Sequence, residues 1–151
     1  AATKKQGYFL RFLEADGITV YETTRRLIEE LRSNNIKIAV ISSSKNCPYV
    51  LERAGLRELL DTVISGKDIK EGKGKPDPWI FLRAVERLGL KPDECIVFED
   101  AVLGVEAGKR ANMKTIGIDR HNDPNRLMKA DLIIKDAQEV DYNKLKSLVE
   151  K

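Results

Sequence analysis

Histidine and cysteine are scarce in this chain. Its 151 residues include one histidine and two cysteines, and no Cys-x-x-Cys spacing occurs. Structural zinc sites are built from several such residues, so a zinc-binding domain is disfavoured, and so few cysteines are typical of a reducing compartment. No apolar run approaches the roughly 20 residues of a membrane span, and the first residues lack the apolar core of a signal peptide. We therefore expect a cytoplasmic protein with no membrane partner.

Clustered positive charge is also missing. Lys and Arg together number 27 and Asp and Glu 24, so the net charge is only +3 and is spread along the chain. Nucleic-acid-binding domains concentrate basic residues on one face, so no nucleic-acid partner is expected. The length and the 42% of hydrophobic residues fit one domain with a single core.

Short apolar runs alternate with amphipathic segments along the chain. This alternation predicts an α/β fold in which helices cover both faces of a parallel sheet. The predicted strands are residues 36–41, 61–65, 95–98, 115–118 and 132–134. The predicted helices are residues 22–34, 48–54, 78–88, 101–111, 125–129 and 142–149.

Polar residues follow two of the predicted strands. In parallel sheets ligands bind beyond the carboxyl ends of the strands, where hydroxyl, amide and helix N-terminal N–H groups suit an anion and paired carboxylates suit a hard divalent cation. Lys75, between Gly74 and Pro76, could bring a positive charge to the same place. The anion-binding candidates are Ser42, Ser43, Ser44, Lys45, Asn46 and Lys75, and the metal candidates are Glu99 and Asp100. Either polar stretch alone could be an ordinary helix cap, but their order and placement favour one phosphate and metal site.

These stretches resemble the motifs of the haloacid dehalogenase superfamily of phosphotransferases, in the branch that includes β-phosphoglucomutase. The resemblance runs from about Gly7 to the C-terminus and includes the Ser44-Lys45-Asn46 run and the glycines that follow Asp100. It implies a Rossmann-like three-layer core, with Ser42 bonding the transferred phosphoryl group and Lys75 neutralising its charge, both as catalytic residues. It further implies that Glu99 and Asp100 bind Mg²⁺, and that a small phosphate ester, a sugar phosphate by this branch, is the substrate.

The nucleophile motif of this family, Asp-x-Asp-Gly after an apolar strand, has no good match. The nearest run is Glu14-Ala15-Asp16-Gly17, which begins with Glu and follows residues 8–13, whose pattern favours a helix over a strand. A degenerate nucleophile is therefore the weaker interpretation. The stronger one takes residues 1–17 as the end of a helical cap and its return to the core, and residues 18–151 as an incomplete phosphotransferase core.

On this interpretation the central strand of the sheet is absent from the chain. The resemblance places that strand between those ending at Ile41 and Phe98, so two buried strand edges would lie open. We expect either a separate N-terminal segment, carrying the nucleophile strand and the cap, to dock there, or the core to rearrange and close the gap.

The resemblance implies attack by an Asp on a phosphate monoester and an aspartyl-phosphate intermediate, by a phosphatase or a mutase, with this chain inactive alone. A non-catalytic module that binds phosphate and metal is the alternative. A receiver-like signalling domain is disfavoured because its acidic pair precedes its Lys, whereas here Lys75 comes first. Asp119, after the strand ending at Ile118, is taken as a surface residue, and the lone His121 as part of a turn.

Overall fold

The computed structural model describes about three quarters of the chain. It gives the backbone of residues 7–10 and, in addition, residues 22–41, 52, 55–64, 68, 72 and 74–150. None of the helices in these stretches is long and apolar enough to cross a membrane.

The described strands form one parallel sheet of six, in the order β3-β2-β1-β4-β5-β6. The strands are β1 Gly7–Leu10, β2 Lys37–Ile41, β3 Thr62–Ile64, β4 Cys95–Glu99, β5 Lys114–Ile118 and β6 Leu132–Ile134. The α-helices with described bounds are α1 Glu22–Ser33, α2 Trp79–Leu88, α3 Val102–Arg110 and α4 Tyr142–Glu150. Short 3-10 turns lie at Arg57–Leu59, Pro92–Glu94, Pro124–Leu127 and Ala137–Glu139.

Apolar side chains pack against both faces of this sheet. One core cluster joins α1 and α4 to the strands, and a second joins α2 and α3 to them. Successive residues of β2 belong to different clusters, Ile38 and Val40 to the first and Ala39 and Ile41 to the second. This alternation follows from the two-residue period of a strand, and burial on both faces explains why β2 is apolar throughout. The predicted α/β three-layer fold with a parallel sheet is confirmed.

The expectation that the central strand is absent from the chain is wrong. Gly7–Leu10 lies between β2 and β4, with Leu10 in register with Val40 on one side and with Phe98 on the other. The gap is therefore closed from within the chain, which agrees with the second of the two expected outcomes.

The helix predicted over residues 8–13 is also wrong for the part that the structure describes. An apolar run this short cannot distinguish a strand from a helix by periodicity, and Tyr8 and Phe9 both favour strands. Without β1, the N–H and C=O groups along the facing edges of β2 and β4 would be buried without partners, which costs free energy. This cost favours a strand over a helix for residues 7–10. Residues 7–10 therefore belong to the core sheet, while the domain boundary expected at residue 17 lies outside the described residues and stays a prediction.

A central position for β1 has a direct consequence for hydrogen exchange. We expect the amide hydrogens of Tyr8, Phe9 and Leu10 to be protected to a degree comparable with those of β4, because both strands have a neighbour on each side. Phe9→Pro, which removes one ladder N–H and leaves its acceptor unpaired, should lower the free energy of unfolding by about 1–3 kcal/mol. Exchange of these three amides at unfolded-chain rates, while β4 stays protected, would contradict the topology.

Candidate functional site

Two adjacent carboxylates are buried where β4 ends. Glu99 is the last residue of the strand and is 0% exposed, and Asp100, directly after it, is 6% exposed. Burying an ionised carboxylate is costly unless it is paired and hydrogen-bonded. The neighbours of these two side chains therefore indicate what the site is built to hold.

The two oxygens of Glu99 have different neighbours. Oε1 accepts the backbone N–H groups of Asp100 at 3.2 Å and of Ala101 at 3.3 Å. Oε2 lies 3.6 Å from Nζ of Lys75, and the Lys75 side chain is only 9% exposed. The loop before α2 thus brings an ammonium group against the end of β4, and two of the residues singled out in the sequence meet.

The loop that carries Lys75 is tied down on its far side. The Asp77 N–H bonds the carbonyl of Gly74 at 3.1 Å, and the Asp77 carboxylate accepts the N–H of Trp79 at 2.8 Å. The second bond satisfies one of the N–H groups left unpaired at the start of α2. The helix start therefore fixes the loop on which Lys75 stands.

Opposite charges at this site are left without hydrogen bonds. Nζ of Lys75 and Oδ2 of Asp100 are both buried, and neither has a hydrogen-bond partner among the residues that the structure describes. Buried polar side-chain atoms nearly always have hydrogen-bond partners, so these two atoms indicate a place where a ligand, an ion or a water binds. An anion suits the ammonium group, and a hard cation suits the carboxylate oxygen.

Gly104, in the first turns of α3, makes room for the buried carboxylate. A Cβ at this position would overlap Cγ, Cδ and Oε2 of Glu99. The helix therefore passes close over Glu99 only because residue 104 has no side chain. The sequence motif included Gly104, but no pattern in the sequence indicated which group it contacts.

The predicted anion-binding run lies outside the described residues. It comprises Ser42, Ser43, Ser44, Lys45 and Asn46. The described β2 ends at Ile41, the residue before Ser42 in the sequence, and β2 is the strand next but one to β4. Its assigned role stays a prediction, as do the roles of the other site residues.

Asp119 was expected to be a surface residue, and this is wrong. It follows β5 and is only 5% exposed. Its Oδ1 accepts the N–H groups of His121 at 3.1 Å and Asp123 at 3.0 Å, so the carboxylate is turned inward to close the loop that contains His121. Strand and loop patterns could not reveal this, because an Asp at a strand end is equally compatible with solvent.

A family model for haloacid dehalogenase-like hydrolases matches residues 4–112. This chain belongs to that family. Among known proteins it is 38% identical over 120 residues to a β-phosphoglucomutase of Mycobacterium bovis, an alignment covering 78% of this chain and 46% of the relative. It is 34% identical over 129 residues to a phosphorylated carbohydrates phosphatase of Thermotoga maritima, covering 83% of this chain and 59% of the relative.

The solved structures agree with the sequence comparisons. A crystal structure of β-phosphoglucomutase from Clostridium difficile superimposes with a TM-score of 0.75 at 31% identity, covering 83% of this chain and 54% of that one. The expected family and its β-phosphoglucomutase-like branch are thereby confirmed. The chain spans about half the length of the relatives that it matches.

Glycine at position 104 should be required for the site to form. We expect Gly104→Ala to lower the free energy of unfolding by about 1–3 kcal/mol, because overpacking must move the buried Glu99 carboxylate. This should outweigh the helix-propensity gain of about 1 kcal/mol from replacing glycine. Urea denaturation measures the change.

Gly74→Ala is the matched control. A Cβ at residue 74 has nothing within 4 Å, so stability should be unchanged or slightly raised. Equal stability of Gly104→Ala and the unmodified chain would show that Gly104 does not seat Glu99.

Proposed function

We propose that this chain carries the core of a Mg²⁺-dependent phosphotransferase that acts on small phosphate monoesters, namely sugar phosphates, through an aspartyl-phosphate intermediate. The convergence of Lys75 with Glu99 and Asp100 carries the proposal. It supplies a buried positive charge and a buried negative charge at one sheet edge, each with an atom that lacks a hydrogen-bond partner.

Each side chain has a role in this proposal. Lys75 screens the charge of the transferred phosphoryl group, and Ser42 bonds one of its oxygens with help from residues 43–46. Phosphoryl transfer depends mainly on positioning and charge stabilisation, which a buried ammonium group provides more strongly than an exposed one. Membership of the family supports this role. The names of the two relatives, a β-phosphoglucomutase and a phosphorylated carbohydrates phosphatase, support sugar phosphates as the substrate class.

The acidic pair fits a magnesium ion in its chemistry. Oδ2 of Asp100 is buried and unpaired, and carboxylate oxygens are the ligands that Mg²⁺ prefers. Glu99 is the second candidate ligand. Its Oε2 already pairs with Lys75, and its Oε1 already accepts two backbone N–H groups. When bound, Mg²⁺ would offset the negative charge of the phosphate.

Part of the coordination must come from elsewhere. Within the described ranges no group of three or more His, Cys, Asp or Glu side chains could hold a metal ion. Mg²⁺ usually keeps several waters and takes one or two carboxylates together with substrate phosphate, so a partial protein cage is compatible with it.

The Asp nucleophile expected directly after the central strand is not found in this chain. β1 ends at Leu10 and is followed by Arg11, with no Asp-x-Asp-Gly run. We therefore propose that an N-terminal segment bearing the nucleophile and the cap completes the enzyme, and that residues 1–151 alone are inactive. Such a strand and Gly7–Leu10 would compete for the place between β2 and β4.

A non-catalytic module that binds phosphate and metal is the second candidate. The observation that favours it is β1 itself, which fills the central position of the sheet without supplying an Asp. The two candidates differ in turnover and agree on binding. Phosphate release from a panel of sugar phosphates, by the chain alone and with the N-terminal part of a β-phosphoglucomutase relative added, distinguishes them. A cytoplasmic location stays a prediction under either.

Asp100 should dominate the affinity for magnesium. We expect Asp100→Asn to weaken Mg²⁺ binding at least about tenfold, because it removes the charge of a buried carboxylate, one oxygen of which has no hydrogen-bond partner among the described residues. Isothermal titration of the chain with Mg²⁺ measures this directly. In the completed enzyme the same substitution should abolish phosphate release.

Asp93→Asn is the matched control, since Asp93 is exposed and lies before β4 rather than after it. Its Mg²⁺ affinity should equal that of the unmodified chain. Equal weakening by both substitutions would point to diffuse charge rather than a site at Asp100.

A further inference from the structure

A second set of buried polar atoms lies in the loop that follows β5. Asp119 uses Oδ1 to accept two backbone N–H groups of this loop, but its Oδ2 is buried and has no hydrogen-bond partner within the part of the chain that the structure describes. One half of the carboxylate is thus structural. The other half is a buried acceptor whose hydrogen bonds are not accounted for.

Arg126 contributes the complementary donors. It lies in the 3-10 turn Pro124–Leu127, and its Nε and Nη2 are buried with no hydrogen-bond partner in the described ranges of the chain. These two nitrogens form one edge of the guanidinium group, with N–H bonds that point the same way. That edge is the one arginine uses to bind two acceptor atoms at once.

The charges of the two side chains favour a neutral ligand. The pKa of Asp119 lies below its ordinary value of 3.8, mainly because its carboxylate accepts the N–H of Asp123. Burial raises the pKa. The N–H of His121 and the charges of Arg126 and Lys135 lower it further. Asp119 is therefore ionised at neutral pH, and its charge and that of Arg126 sum to zero. A group that both donates to a carboxylate and accepts from a guanidinium, such as a pair of hydroxyls, matches this set.

Asp119 lies at the edge of the sheet that carries the candidate site. β5 pairs with β4, and Gly117 is in register with Glu99. Asp119 lies two residues beyond Gly117 in the direction of the carboxyl edge, and its N–H bonds the last residue of β6, Ile134, at 2.7 Å. A ligand held between Lys75 and Asp100 therefore has Asp119 on the neighbouring strand.

We propose that Asp119 and Arg126 form a hydroxyl-binding subsite that recognises the sugar of the phosphate ester. This inference rests on the proposed function and adds a source of substrate selectivity within the core. The carboxylate accepts hydrogen bonds from the sugar, and the guanidinium edge donates to its oxygens. A site built to hydrogen-bond hydroxyls rejects ligands that lack them, because its own buried groups are then left unpaired.

Two substitutions test the contribution of the unpaired atoms of Asp119 and Arg126 to binding. Asp119→Asn keeps an oxygen that can close the loop and replaces the carboxylate with a neutral amide. Arg126→Lys keeps the positive charge and removes the two-pronged edge. Lys129→Gln is the control, because it removes a charge from the exposed part of the same loop. Thermal unfolding of all three variants checks that each is folded.

The test compares two ligands that share a phosphate. Glucose 6-phosphate and butyl phosphate are titrated into the chain in Mg²⁺, and the ratio of their affinities is measured. We expect the unmodified chain and Lys129→Gln to prefer the sugar phosphate at least about tenfold, in line with the net gain from one hydrogen bond to a charged group. Asp119→Asn and Arg126→Lys should each bring the ratio close to one while butyl phosphate affinity stays the same.

The outcomes separate this inference from the function on which it rests. An unchanged ratio in both folded variants, or no preference in the unmodified chain, overturns the hydroxyl subsite and leaves the phosphate site standing. That result would mean that Asp119 and Arg126 hold water or pair with each other. Failure of the unmodified chain to bind either ligand would contradict the proposed function and the subsite with it.

Discussion

The burial of Glu99 is the constraint on which the candidate site depends. A fully buried carboxylate must be compensated, and the structure does so with two backbone N–H groups and the Lys75 ammonium group. It also requires Gly104, since any side chain there would occupy the space of the carboxylate. The loop before α2, the end of β4 and the first turns of α3 are therefore fixed relative to one another by one side chain.

Much of the fold was predictable because its signals are local. Burial on both faces makes β2 and β4 continuous apolar runs, and Leu27, Ile28 and Leu31 mark the buried stripe of α1. β1 was not predictable, because four residues carry no usable period and its conformation depends on two strands far along the chain. The sequence likewise indicated Lys75, Glu99 and Asp100 as site residues, yet it could not reveal that Lys75 meets Glu99 rather than Asp100 or that Asp119 turns inward.

These observations suggest a division of work along the carboxyl edge of the sheet. We propose that the end of β4 and Lys75 supply charge for a phosphate and a cation, and that the loop after β5 supplies polar atoms of balanced charge for the rest of the ligand. Two sets of buried, unpaired atoms at one edge are more economically explained by one ligand than by separate defects in packing. The chain belongs to the haloacid dehalogenase-like hydrolases and spans about half the length of the relatives that it matches.

A crystal of the chain soaked with Mn²⁺ and inorganic phosphate tests the central claim most directly, because anomalous scattering locates the cation independently of the protein density. The account predicts one manganese peak in bonding contact with Oδ2 of Asp100, with a phosphate oxygen within hydrogen-bond distance of Nζ of Lys75. A manganese peak bound elsewhere, with Lys75 and Asp100 contacting neither ion, would contradict it.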